Sequence, residues 1–176
     1  MGKTEIRICG LGGQGVVLAG QILGKAAAYE EKNVVQTQSY GAEARGSAAK
    51  SEIIISDEKI GFPFVRKCDI LIAMSQEAVE KNMADLKENG ILIVDSSVVK
   101  EIPQARAKII KVPATESAEK LFRAKIYANM IMLGVLIEAT GIVSEHAVEK
   151  AIEDCIKKED AETSKQAYKK GREFIK

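Results

Sequence analysis

"IRICGLGGQGVVLAGQILGKAAAY", residues 6–29, decides the fold. Residues 6–9 form a short, largely apolar run and read as a first strand. A glycine-rich turn, GLGGQG, fills residues 10–15. Beyond it Val16, Ala19, Gly20, Leu23 and Ala27 recur at helical spacing along one face, as expected of a helix running to about Tyr29. These residues are small, so the helix can lie close to a sheet. Strand, tight turn and helix in that order open a βα unit.

The same alternation continues down the chain. Residues 34–37 and 52–56 are the next strand candidates, with Asp57-Glu58 as a turn and 59–61 as a hairpin partner for the second. The run DILIAM, 69–74, is apolar throughout, as in strands buried on both faces. Ser75 is placed to cap a helix over 76–88, which Gly90 would stop. ILIVD, 91–95, and KIIKV, 108–112, are further strands. A long helix is expected over 117–140, closed by Gly141. Ser144 caps another, with Val148, Ala151, Ile152, Cys155 and Ile156 on one stripe, and a charged helix covers about 161–174. No repeat or linker divides residues 1–176. The expected architecture is a single α/β domain, doubly wound and Rossmann-like. A mostly parallel sheet carries helices on both faces, and the C-terminal third is helical.

Composition narrows the function. Hydrophobic residues make up 46% of 176, enough for a real core, and the 26 basic and 25 acidic side chains nearly cancel. With no basic excess, 5% aromatics and no tryptophan, nucleic acid is not an expected partner. Cys9, Cys68 and Cys155 are too far apart for a zinc or iron–sulfur site or a disulfide framework, and read as free thiols of a reducing cytoplasm. The longest apolar run, 126–137, is shorter than the ~20 residues of a membrane span. A membrane association is not expected.

Gly10, Gly12 and Gly15 match G-x-G-x-x-G between a strand and a helix, where bare backbone N–H groups can meet a phosphate. A dinucleotide site also needs an acid at the end of the second strand. Here that strand ends Gln36-Thr37-Gln38, without a carboxylate. The glycines therefore serve close packing, another ligand, or a partner. Downstream lies "QTQSYGAEARGSAAKSE", 36–52, with Glu43 and Arg45 isolated between Gly41 and Gly46. If the loops after the first two strands share one edge of the sheet, this segment forms the second wall of a crevice beside the glycine loop. Arg45 would then present a forked donor to a phosphate or carboxylate. Its alternative is a solvated pair with Glu43.

Other polar residues are less telling. His146, alone of its type, falls in the first turn of a helix and reads as a surface side chain. Asp95 ends a strand, facing the crevice or capping the next turn. Met130 and Met132 lie in a helix apolar almost all round, expected partly in the core and partly against a partner.

Together, "GLGGQGVVLAGQILGKAA" and "QTQSYGAEARGSAAKSEIIIS" resemble the gamma subunit of 2-oxoacid:ferredoxin oxidoreductases, a unit also found fused in pyruvate and indolepyruvate oxidoreductases. "ANMIMLGVLIEATGIVS" is similar to the late helix of that family. The resemblance implies one subunit of an enzyme that makes acyl-coenzyme A from a 2-oxoacid and coenzyme A, passing electrons to ferredoxin. It implies no cofactor in this chain. Thiamine diphosphate, iron–sulfur clusters and coenzyme A would belong to the assembled enzyme, with alpha and beta thiamine-binding subunits and a ferredoxin-like delta subunit as partners. The implied contact loop is Gly10, Gly12, Gly13, Gln14 and Gly15 with Ser39, Tyr40, Gly41, Glu43, Arg45 and Gly46. It would cover the thiamine site and help place coenzyme A, with 2-oxoglutarate the first choice of substrate. A free-standing nucleotide-binding module and a ligand-free assembly subunit remain the alternatives. Ser47 stands where relatives often carry glycine, so a positive φ there would be strained.

Overall fold

The structure is a computed structural model that describes residues 2–42 and 46–175. A six-stranded sheet has the order β2-β3-β1-β4-β5-β6. β1 (Lys3–Leu11), β4 (Cys68–Ala73), β5 (Leu86–Asp95) and β6 (Lys108–Val112) run parallel to one another. β3 (Ala48–Ser56) is antiparallel to both of its neighbours, β1 and β2 (Asn33–Tyr40).

Both faces of the sheet are buried, unequally. Ile6, Ile8, Ile53, Ile55, Ile70, Ile72 and Ile93 enter the larger core. It is filled by α1 (Val16–Tyr29), α3 (Ala114–Phe122), α4 (Ala128–Thr140), α5 (Glu145–Cys155) and α6 (Lys158–Glu173). Alternate residues Cys9, Ile54, Leu71, Leu92 and Val94 point the other way. There they meet Ala78 and Val79 of α2 (Gln76–Asn82) and Val65 and Val99 from two long connections. The doubly wound α/β expectation therefore stands, with most helices on one side.

Several local expectations are revised. The hairpin partner of β3 is β2; residues 59–61 form no strand. The helix over 76–88 stops at Asn82, a 3-10 turn covers Met83–Asp85, and β5 starts at Leu86. Gly90 lies inside β5, where the pairing with β4 jumps from Cys68–Leu86 to Ile70–Ile91. A Cβ there would sit 2.8 Å from the Asp69 carbonyl oxygen. The glycine serves strand contact, and no helix end. The long helix over 117–140 breaks at Arg123, whose φ of 63° is left-handed, and resumes as α4 after a 3-10 turn. Phe122 and Tyr127 meet edge to face across that corner, 6.0 Å between centroids.

α4 is buried from Ala128 to Ile137, Met130 and Met132 included. It packs on α6 so closely that a Cβ at Gly134 would lie 2.1 Å from the Tyr168 carbonyl oxygen, and one at Gly171 1.9 Å from that of Ile131. Arg172 ties the pair together through Glu138 at 2.8 Å and reaches Glu145 of α5. The apolar helix is thus covered by its own chain, which removes it as a partner surface. No helix among the described residues is long and apolar enough to cross a membrane.

Two substitutions test this packing. Gly171→Ala drives a methyl into backbone that no rotamer change can move; urea unfolding should show a loss of about 2 kcal/mol or more. Tyr168 is fully buried and its hydroxyl has no hydrogen-bond partner among the described residues. Tyr168→Phe should leave the melting temperature unchanged or raise it by about 2–4 °C, because an unsatisfied buried hydroxyl costs roughly 1 kcal/mol.

Candidate functional site: the crevice at the carboxyl ends of β1 and β4

β1 does not end before its glycines. Gly10 and Leu11 still pair with Ala49 and Ala48 of β3. The turn then folds over itself through Gln14. Its Oε1 accepts from the Leu11 N–H at 2.7 Å and its Nε2 donates to the Met74 carbonyl at 2.9 Å. A Cβ on Gly10 would meet that Oε1 at 2.4 Å. Gly13 has φ 92° and Gly15, the residue preceding α1, has φ 74°. The space beside Gly15 is taken by Asn129, whose Nδ2 lies 2.3 Å from where a Cβ would be and donates to the Gly15 carbonyl at 3.2 Å. Gly12 donates its N–H to the Ser47 carbonyl at 2.7 Å. Close packing thus accounts for Gly10 and Gly15 and left-handed backbone for Gly13. The Gly12 N–H and the Gln14 amide are committed within the chain.

The Gly12–Ser47 bond places the two predicted segments side by side. Gly41 in turn donates to the Ala48 carbonyl at 2.7 Å. Ser47 escapes the strain foreseen for it, because the positive φ falls on Gly46, at 62°. Glu43 and Arg45 lie outside the described residues; their neighbours Gly41 and Gly46 are exposed at the rim.

Between these walls and α2 opens a crevice of about 380 Å³. Cys9, Gly10 and Leu11 form its back, Ser39, Tyr40 and Gly41 one side, and Ser75, Glu77, Lys81 and Asn82 the other, with Lys50 and Asp85 below. It lies where β1 meets β4 and the chain changes direction across the sheet, the usual ligand position in open α/β sheets. A second depression of about 290 Å³ on the α1 side of the glycine loop is lined by Gly12, Gly13, Gly15, Tyr40 and Ile126. A larger one, about 560 Å³, lies at the opposite end of the sheet and holds no predicted site residue.

Beneath the crevice lies Arg7, 3% exposed. It meets Glu52 at 2.9 Å and Asp85 at 2.6 Å, and donates to the Asn82 side-chain amide oxygen at 3.3 Å and the Val65 backbone carbonyl at 3.1 Å. Burial opposes its charge, but the bonds to Asp85 and Glu52 outweigh that and hold the guanidinium above its ordinary value. Cys9 and Cys68 share this buried region, and desolvation pushes their thiols up to about 12 and about 11. Both stay protonated at neutral pH. Asp95, fully buried, accepts from Ser97 N at 3.1 Å and from the Thr115 N–H and hydroxyl. It is a turn and helix cap rather than a crevice group. Ser75 and Ser144 cap α2 and α5 as expected, each accepting from a backbone N–H. His146 is exposed on α5. Among the described residues no group of three or more His, Cys, Asp or Glu could hold a metal ion.

Sequence reading missed Arg7, Asn129 and the inward turn of Gln14. An arginine inside an apolar strand was the one visible signal for the first. Asn129, a lone amide in the apolar run 126–137, was the signal for the second.

The described residues form a single α/β unit with an antiparallel strand beside β1 and a glycine turn pinned to it. The family described as Pyruvate ferredoxin/flavodoxin oxidoreductase matches residues 5–174, and the chain belongs to that family. A 2-oxoglutarate synthase subunit KorC from Methanocaldococcus jannaschii is 48% identical over 99% of this chain and 95% of its own length. The KorC subunit of Methanothermobacter thermautotrophicus is 49% identical over 98% and 95%. Among solved structures, the gamma subunit of a keto/oxoacid ferredoxin oxidoreductase from Geobacter sulfurreducens superposes with a TM-score of 0.87 at 42% identity, covering 97% of both chains. A 2-oxoglutarate:ferredoxin oxidoreductase from Magnetococcus marinus shares the fold at TM-score 0.88 and 24% identity. This chain corresponds to 31% of that longer one.

Two outcomes follow from the geometry. Gln14→Ala strands the Leu11 N–H and the Met74 carbonyl and should lower unfolding free energy by about 1–3 kcal/mol. Gln14→Glu should not restore it, since a carboxylate oxygen would face that carbonyl. In native protein at pH 8, alkylation followed by mass spectrometry should label the half-buried Cys155 first, and Cys9 and Cys68 only on unfolding.

Proposed function

We propose that this chain is the gamma subunit of a 2-oxoglutarate:ferredoxin oxidoreductase. The enzyme converts 2-oxoglutarate and coenzyme A to succinyl-coenzyme A and carbon dioxide, leaving two electrons for oxidised ferredoxin. The observation that carries the reading is the near full-length identity of 48% to a 2-oxoglutarate synthase subunit. In the assembled enzyme, alpha and beta chains hold thiamine diphosphate, a ferredoxin-like delta chain holds iron–sulfur clusters, and the complex works in the cytoplasm. The cysteines of this chain are too scattered for a cluster, and among the described residues no histidine lines the crevice.

Its own contribution is a rigid wall. The Gln14 and Asn129 locks fix the glycine turn, the turn holds Ser47, and the adjoining Ala48 carbonyl holds Gly41 at the crevice. Lys50 and Lys81 at the crevice, each beside a glutamate, offer cationic contacts for the phosphates of coenzyme A, and Arg45, outside the described residues, would add a third. Ile126, 47% exposed, flanks the glycine turn and would be covered by the thiamine-binding chains. A dinucleotide-binding module is disfavoured on topology: β1 neighbours the antiparallel β3, so no parallel second strand stands where the ribose-binding acid belongs.

The test is reconstitution with the partner chains and a viologen acceptor. Coenzyme A-dependent reduction should require this chain and should favour 2-oxoglutarate over pyruvate and 2-oxoisovalerate; preference for another 2-oxoacid overturns the substrate assignment. Arg45→Ala should leave melting and assembly unchanged. It should lower kcat/KM by roughly tenfold to a hundredfold, the worth of one charge-assisted bond. Unchanged kinetics would return Arg45 to a solvated loop.

A further inference from the structure

We propose that the free edge of β2 pairs antiparallel with β2 of a second copy of this chain, about a two-fold axis at Thr37. The inference is independent of substrate and of the thiamine-binding chains.

The register shows which groups are available. Gly41 donates to Ala48, so the bonded pairs of the β2–β3 ladder are those in step with it, down through Ser39–Lys50, Thr37–Glu52 and Val35–Ile54. The backbone N–H and C=O groups of Val34, Gln36, Gln38 and Tyr40 therefore point away from β3. Among the described residues no strand meets them, because β2 ends the sheet.

Exposed edges are ordinarily blunted by lysine, proline, bulges or brevity. β6, at the other edge, is short and carries Lys108 and Lys111. β2 is eight residues, NVVQTQSY, without proline or glycine, and its register runs unbroken. It also carries no charge, although at 29% charged residues about two would be ordinary in a stretch of that length.

A charge-free strand is what self-pairing needs, since a two-fold axis sets a strand against its own sequence. With the axis at Thr37, the outward residues meet as Val34 with Tyr40 of the second copy and Gln36 with Gln38. On the opposite face Thr37 meets Thr37. Aromatic with β-branched and threonine with threonine are favourable cross-strand pairs, and no like charges are opposed. Tyr40, the most exposed large hydrophobic side chain among those described, gains cover at both ends of the paired strands.

Sedimentation of the purified full chain across a concentration series reads the result. The wild type should reach twice the 19.1 kDa chain mass. Thr37→Lys and Thr37→Glu each set like charges face to face across the axis and should raise the dissociation constant at least about tenfold, with circular dichroism unchanged. Mixing the two variants should restore association, because lysine then faces glutamate. Gln38→Pro removes an outward N–H without touching the β3 ladder and should also yield monomers. A wild type that is monomeric throughout overturns the proposal. So does a dimer that survives all three variants, or single variants whose mixture stays monomeric.

Discussion

One backbone hydrogen bond, from the Gly12 N–H to the Ser47 carbonyl, holds the working end of this molecule together. On one side of it the glycine turn is rigid because Gln14 satisfies backbone at both Leu11 and Met74 and because Asn129 fills the space a side chain at Gly15 would need. On the other side the start of β3 is fixed, and with it the end of β2, where Gly41 donates to the Ala48 carbonyl. The C-terminal helices therefore reach the glycine turn through the Asn129 amide as well as through the core they share with it. Asn129 begins α4, α4 is clamped to α6 at Gly134 and Gly171, and a disturbance at that distant crossing would reach the glycine turn through packed side chains.

The electrostatics divide the same way. Arg7 sits inside the sheet with its charge compensated by Glu52 and Asp85, and with the Asn82 and Val65 oxygens filling remaining donors. Losing one partner of such a buried cluster leaves a charge uncompensated, which is why these residues form a unit. The cluster fixes Asn82 and Asp85, two residues of the crevice, from beneath. Lys50 and Lys81 line the crevice nearer the surface, Lys81 paired with Glu77 and Lys50 3.9 Å from Glu52.

The sequence by itself determined the opening strand, glycine turn and helix, because a tight turn with φ values of 92° and 74° admits little but glycine. Buried parallel strands were equally legible, since runs such as DILIAM and ILIVD have nowhere to go but between two covered faces. The serine caps of α2 and α5 were legible because capping is a contact within three residues. Proximity of the two glycine-rich segments was also readable, and both come together as expected.

Only the tertiary structure decided how they come together. An apolar run announces a strand but not its direction or neighbour, and β3 enters antiparallel between β1 and β2, a choice made by long-range pairing. The residues after Asn82 carry a helical pattern, yet Lys87 leaves it to meet Glu5 and Asp69, at 2.9 Å and 3.0 Å, from strands distant in sequence. Arg123 takes a left-handed conformation without the glycine that would have marked it, since the Phe122–Tyr127 contact and the burial of α4 make that corner worthwhile. Gln14 and Asn129 look like ordinary polar residues in the sequence. Their roles exist only once the backbone groups they satisfy, 60 and 114 residues away in the chain, have been brought within reach.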